Sequence, residues 1–305
     1  MHAVSAYGSV TAAAGALGYS APAVSQQLTA LEHQVGMRLT ERNGRGIRLT
    51  PAADILVAHT DALLTELDAA EADLAALRDQ AVGRVCLAAF PSAAAAIVPP
   101  AWAALTRSAP HVDIELTEME PEESLPAVMR GETDVAIAHE YDVLPRPLDP
   151  LFERRELLSD PVLIAMATNS PAAGDGRIRL RDLAGLPFLV PRASTSCAEM
   201  VQRACARAGF VPAVAARATD FRVLLSLAAE GVGVALVPHL AARDVPPGVR
   251  LIEPAEPVTR QVFTVSRRGG DRKPAVRLAL DALVAAATDL PAARREACQA
   301  ARRAP

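Results

Sequence analysis

The stretch GALGYSAPAVSQQLTALE, Gly15–Glu32, decides how the front of the chain folds. Val24, Leu28 and Leu31 recur at helical spacing, and Ser25, Gln26, Gln27 and Thr29 between them are polar but uncharged. A helix face that meets only water favours Glu and Lys. Short hydrogen-bonding groups suit a face that lies against something. Ser20 is placed to cap this helix, Pro22 is tolerated in its first turn, and Gly36 ends it after Val35. Upstream, Ser9 caps Val10–Leu17 and Gly18 stops it. Two short helices joined by Gly18-Tyr19-Ser20 make a helix-turn-helix pattern, although any small helical bundle offers the same spacing.

Downstream, LTERNGRGIRLT (Leu39–Thr50) places the turn pairs Asn43-Gly44 and Arg45-Gly46 between two short apolar-containing runs, which predicts a hairpin. Arg42, Arg45 and Arg48 lie in or beside it. They are either ordinary surface arginines or the cations of a wing pressed onto phosphates. Thr50-Pro51 then opens a long helix. Leu56, Leu63, Ala70 and Leu77 fall seven apart, and Thr60, Leu67, Leu74 and Ala81 form the second seam position. The heptad and the acidic outer face predict a helix that pairs with a copy of itself, through Leu56, Leu63, Leu67, Leu74 and Leu77.

The 305 residues carry a net charge of −4, which by itself advertises no nucleic-acid partner. The distribution says more. Residues 1–50 sum to +2, residues 51–81 to −6, and the rest to zero. Four cysteines without a CxxC pair suit a reducing cytoplasm. The amino-terminal residues lack the basic start of a secretory signal, and no apolar run approaches the ~20 residues of a membrane span.

After Gly83 the texture becomes alternating strands and helices. Strands are predicted over Arg84–Phe90, VDIELTEM, Asp134–His139, PVLIAMA, FLVP and Val232–Pro238. Helices are predicted from Ser92 into Leu105, over Pro121–Arg130, from Thr195 to Ala208 and over Phe221–Glu230. This rhythm implies mostly parallel sheets with ligands at the strand carboxyl ends. Two lobes fit the length, with crossings near Leu157 and Val262, and Arg294–Pro305 reads as a disordered or weakly helical tail.

The segment from Gly8 to Ala53 resembles the DNA-binding head of the LysR-type transcriptional regulators. Ala13-Ala14, Ser20, Pro22-Ala23, Ser25, Leu31-Glu32, Gly36, Arg38-Leu39 and Leu49-Thr50 fall in family order and spacing. EGVGVALVP resembles a segment of the family's second lobe. The resemblance implies a multidomain α+β chain. A winged helix-turn-helix spans 1–50, and a linker and dimerisation helix spans 51–82. An effector domain like a periplasmic binding protein spans 83–290, with lobe I about 83–156 and 263–290 and lobe II about 157–262. A tail covers 291–305. Three departures stand out. Only His2–Tyr7 remains of the supporting first helix, so the true start lies upstream or the head is poorly supported. Ala21 stands where the family commonly carries Gln. Gly15 weakens its helix, and Thr40 replaces an aromatic under the wing.

The resemblance implies major-groove contacts from Ser20, Ala21, Pro22, Ser25 and Gln26, with Gln27 and Thr29 at the rim, and phosphate contacts from Arg42, Arg45 and Arg48. It implies a small-molecule effector between the lobes, and the candidates there suggest something small and polar, an anion among the options. Candidates are Pro91, Ser92 and Ala93, His139, Ser194, Thr195 and Ser196, and Asp220 with Phe221, several of which could equally be helix caps. Some family members sense peroxide with two cysteines. Here Cys197 and Cys205 sit eight residues apart on one helix, ~12 Å by helical rise, against ~5.5 Å for a disulfide. They read as structural. The implied partners are double-stranded DNA, an effector, RNA polymerase and a second copy in a homodimer or homotetramer, with no metal or other cofactor. An enzyme is disfavoured because HExxH, P-loop and GxSxG motifs are missing, and the histidines show no metal-ligand spacing. A transported-solute binder would need an export signal and would not need a heptad helix behind an arginine hairpin.

Overall fold

The computed structural model describes residues 1–43, 46–76, 83–173 and 176–301. The head is three helices and a hairpin: α1 (His2–Tyr7), α2 (Val10–Leu17), α3 (Ala21–Val35), β1 (Thr40–Asn43) and β2 (Gly46–Leu49). Ser9 and Ser20 cap α2 and α3 by accepting from Ala12 N and Ala23 N, and Gly18 and Gly36 close them in left-handed conformation. Val4, Ala13, Ala14, Val24 and Leu28 form its small core. The hairpin pairs Thr40 with Leu49 and Glu41 with Arg48. Glu32 ties it to α3, accepting from Leu39 N at 2.8 Å, Thr40 N at 3.0 Å and the Thr40 hydroxyl at 3.1 Å. Thr40 therefore bonds where an aromatic would have packed. Thr50 caps α4 (Pro51–Ala76), accepting from Ala53 N and donating to the Arg38 carbonyl.

The remainder is β3 (Gly83–Ala89), α5 (Pro91–Ala96), α6 (Val98–Ser108), β4 (Val112–Glu118), α7 (Pro121–Arg130), β5 (Val135–Tyr141), β6 (Phe152–Ala167), β7 (Pro187–Pro191), α8 (Ser196–Arg207), β8 (Ala213–Ala218), α9 (Phe221–Ala229), β9 (Val234–Pro238), β10 (Val249–Ile252), β11 (Thr259–Arg267) and α10 (Pro274–Ala301). The strand order is β4-β3-β5-β11-β6-β9-β7-β8, with β10 also on β6. The expectation of mostly parallel sheets needs correction. Each lobe has a parallel set, but the centre is antiparallel, because β11 pairs antiparallel with both β5 and β6, and β6 with β9. A chain that crosses between lobes twice returns in the opposite direction.

The crossings themselves also differ from expectation. β6 follows β11 through Pro161 and pairs with β9 from Val162, so Leu157 lies inside lobe I. All of Thr259–Arg267 belongs to lobe I's ladder, so the return crossing precedes Val262. The helix expected from Ser92 into Leu105 is two helices. It breaks at Ile97, and Pro99-Pro100 start the second, where missing N–H groups cost nothing. The tail expected from 291 continues α10 to Ala301, in keeping with its Ala, Arg and Glu content. In lobe II, Gly233 is required by close packing: a Cβ there would lie 2.4 Å from the Pro187 carbonyl oxygen.

Candidate functional site

The reading helix presents Pro22, Ser25, Gln26, Gln27 and Thr29 to solvent while Val24 and Leu28 face inward. Two expected contacts are changed by the geometry. Ala21 is half-buried and packs partly on the head's core. Thr29 donates its hydroxyl to the Ser25 carbonyl at 3.1 Å, bonding its own helix. Ser20 is a cap first, its side-chain oxygen 3.4 Å from Ala23 N. Arg48 is exposed and sits 3.4 Å from Glu41 across the hairpin. Arg45 lies outside the described residues, as does the side chain of Arg42.

On α4, Leu63, Leu67 and Leu74 are 72%, 59% and 66% exposed, and Leu56 is half-buried. Three leucines left in water on one helix are an unfinished surface within a single chain. Leu77 lies outside the described residues.

Between the lobes lies a cleft of about 580 Å³. Lobe I contributes Phe90, Pro91, Ser92, Ala95, Glu118 and Glu120. Lobe II contributes Cys197, Asp220, Phe221, Arg222, Leu240 and Arg243. At its floor Arg260 and Asp160, each 1% exposed, form an ion pair at 2.6 Å. They stand opposite each other on β11 and β6, where the chain changes lobes. Arg260 also donates to the Ser92 hydroxyl at 3.0 Å, and Asp160 accepts from Leu240 N at 2.9 Å. Burial opposes the guanidinium's charge, but Asp160 beside it more than offsets that and holds Arg260 ionised. This one pair therefore ties both crossing strands to α5 on one side and to the turn at Leu240 on the other.

The expected effector residues divide. Pro91, Ser92, Asp220 and Phe221 line the cleft. Ala93 does not; it is fully buried in lobe I's core. His139 does not open into the cleft either. Its ring is fully buried, edge-on to Phe90 at 4.6 Å and Tyr141 at 5.3 Å. Burial holds its imidazole well below the ordinary value, so it is neutral. Its Nε2 lies 3.7 Å from Glu120 Oε2, too far for a hydrogen bond. Glu120 in turn is pushed above the usual carboxylate range by burial and then by Glu122. Ser194 is exposed, and Thr195 is spent capping α8. Ser196 is buried with no partner for its hydroxyl. Asp220 caps α9 and pairs with Arg222 at 2.9 Å.

The sequence reading missed Arg260, Asp160 and Glu120. The available signal was a lone charge at the head of each apolar run, Asp160 before PVLIAMA and Arg260 before QVFTV. Cys197 meets the Tyr141 hydroxyl at 3.1 Å. Burial pushes the Cys197 thiol up to about 11 and Cys205 to about 12.

The cleft is joined to the head by α7. Glu120, just before its first residue, lines the cleft. At the other end Arg130 binds Glu132 through two bonds of 2.9 and 2.7 Å, and Glu132 accepts from the Tyr7 hydroxyl of α1 at 2.7 Å. Arg130 also lies over the Tyr7 ring, 5.4 Å from its centroid. Among the described residues no helix is long and apolar enough to cross a membrane, and no cluster could hold a metal ion.

Known proteins share this arrangement. Residues 1–54 match the family described as bacterial regulatory helix-turn-helix protein, lysR family, and residues 78–288 match the LysR substrate binding domain. The regulator IlvR of Caulobacter vibrioides is 28% identical over 261 residues, 84% of this chain and 86% of its own. A probable hydrogen peroxide-inducible genes activator of Mycobacterium avium is 28% identical over 231 residues, 75% and 72% of the two chains. Among solved structures, CbnR with its target DNA has a TM-score of 0.56 at 24% identity, covering 93% of this chain and 96% of that one. An OxyR mutant from Corynebacterium glutamicum has a TM-score of 0.61 at 24% identity, covering 97% and 92%. Head, linker helix and two-lobed domain occur here in one order, and the chain belongs to the LysR family of DNA-binding transcriptional regulators.

Proposed function

We infer that the protein acts as a homodimer, or a dimer of dimers, reading two half-sites of an interrupted palindrome. The dimer would close through Leu63, Leu67 and Leu74 of α4, whose exposure supports a partner helix there. Ser25, Gln26 and Gln27 would meet base edges, and the wing arginines phosphates. The solved CbnR–DNA complex supports the docking mode at the level of fold. RNA polymerase would be the partner at the promoter, in the cytoplasm.

A small molecule in the cleft would change how the lobes sit and so where the heads sit. The observation that carries this reading is α7, which has Glu120 in the cleft at one end and the Arg130–Glu132–Tyr7 contact with the head at the other. Ten residues of helix, with Pro126 inside it, span ~15 Å from the cleft to the head contact. Peroxide sensing, suggested by the name of the Mycobacterium avium relative, gains no support from thiols whose burial keeps them protonated.

Tyr7→Phe tests the coupling, since it deletes one hydroxyl from an exposed bond. Gel retardation with circularly permuted DNA measures the bend in the complex. The expected result is a changed bend angle with DNA binding retained. A bend identical to the wild type would remove α7 from the account.

A further inference from the structure

We propose that the cleft takes a small cationic amine, its ammonium group at Glu118 and Glu120 and its apolar body against Phe90, Phe221 and Leu240. The proposal rests on the cleft being the effector site and adds the chemistry of the ligand.

The argument is an inventory of which charges are already engaged. Every arginine lining the cleft has a partner. Arg260 is held by Asp160 at 2.6 Å and by the Ser92 hydroxyl. Arg222 is held by Asp220 at 2.9 Å. Arg243 reaches across the cleft to the Ala95 carbonyl at 3.3 Å. An anionic ligand would therefore meet lining arginines that already bond elsewhere, with Arg192 near Glu120 outside the lining, and would face the carboxylates Glu118, Glu120 and Asp244. The anion site expected at Pro91-Ser92-Ala93 also has less to give than its sequence implies. α5 is six residues long, Ala93 is in the core, and the Ser92 hydroxyl is occupied by Arg260.

The unengaged groups are acceptors. Among the described residues Glu118 makes no hydrogen bond or ion pair and lines the cleft. Glu120 Oε2 is buried without a hydrogen-bond partner, with His139 Nε2 3.7 Å away. The fully buried His139, with neither ring nitrogen bonded, stands behind Glu120 and Phe90, both of which line the cleft. Leaving a buried polar atom unbonded is costly, so a ligand that donates to Glu120 supplies a bond that the empty cleft leaves unmade. An ammonium carries three donors and a charge opposite to both glutamates. The walls beside them are apolar, and about 580 Å³ suits a ligand of small-molecule size.

The test uses three probes with one apolar body and different heads: isopentylamine, isovalerate and 3-methyl-1-butanol. Binding to the full chain is measured by titration calorimetry and thermal shift, in the wild type and in Ala95→Trp, which fills the cleft from an exposed position. The expected result is saturable binding of the amine alone, lost in Ala95→Trp and weakened roughly tenfold or more in Glu118→Gln and in Glu120→Gln. Glu120→Gln keeps the size and shape of the side chain and removes its charge. Isovalerate or the alcohol binding as well as the amine, with the same loss in Ala95→Trp, would overturn the amine and leave the cleft as a ligand site. Amine binding unchanged in Ala95→Trp would overturn the placement in the cleft. If none of the three binds, the proposal fails, and a ligand screen blind to Ala95→Trp would then sink the effector-site reading too.

Discussion

Asp160→Asn is the perturbation with the most to say about the cleft. The substitution keeps the shape and removes the charge, leaving the 1%-exposed Arg260 guanidinium with only the neutral Ser92 hydroxyl and Phe90 ring among the side chains described against it. Removing one member of a buried ion pair costs about 3–5 kcal/mol, because the other stays buried and uncompensated. Asparagine still offers an oxygen to Leu240 N, so the lower end, about 3 kcal/mol, is the expected cost. For a domain of roughly 200 residues, 1 kcal/mol shifts Tm by about 2–4 °C, which gives a fall of about 6–12 °C. Trp102, the single tryptophan, lies on α6 of lobe I, so its emission in urea reports the effector domain rather than the head. Asp160→Leu with Arg260→Met should cost less than Asp160→Asn alone, because no charge is then stranded. An Asp160→Asn cost below about 1 kcal/mol, or a double variant costing the sum of its singles, would refute the reasoning.

Gly233→Ala should destabilise lobe II by about 1–3 kcal/mol, read as a lower urea midpoint, since its Cβ would lie 2.4 Å from a backbone oxygen that cannot step aside. Hydrogen peroxide at micromolar levels should leave Cys197 and Cys205 unmodified in the folded protein by mass spectrometry. A thiol pushed up to about 11 is ionised at pH 7 to only about one part in ten thousand. Glu32→Gln should loosen the wing, seen as faster amide exchange at Leu39 and Thr40. The Leu39 N–H above all holds the Glu32 carboxyl below its ordinary range, so its contribution is present above about pH 4.5 and fades as pH falls through the lowered value. The variant's head stability should lack that acid limb.

The head was legible because its signals are local. Ser9, Gly18, Ser20 and Gly36 punctuate the chain within a few residues of the bonds they make, and the helices start and stop there. What was not legible there is rotational: Ala21 sits on the first turn, where a small change in helix phase decides how much of a residue packs on the core. In the sheet, PVLIAMA was visible as an apolar run, but the preceding FERRELLSD was not. Its charges are satisfied by remote partners, Arg154 by Glu140 and Arg155 by Asp271, so it forms a strand without an apolar alternation. The cleft floor was hidden for the same reason. Arg260 and Asp160 are 100 residues apart, and neither has a local motif that announces the other. Helix starts such as Pro91-Ser92 are visible in sequence; which of their hydroxyls are already taken is not.

Gel retardation on the DNA upstream of the protein's own gene tests the central claim most directly, run at several salt concentrations with the wild type and Arg48→Ala. The account predicts a saturable complex carrying two half-sites, with log affinity falling linearly in log salt. Each phosphate that an arginine no longer neutralises should make the slope shallower by about 0.9. No complex at low salt, or an affinity and slope untouched by Arg48→Ala, would contradict it.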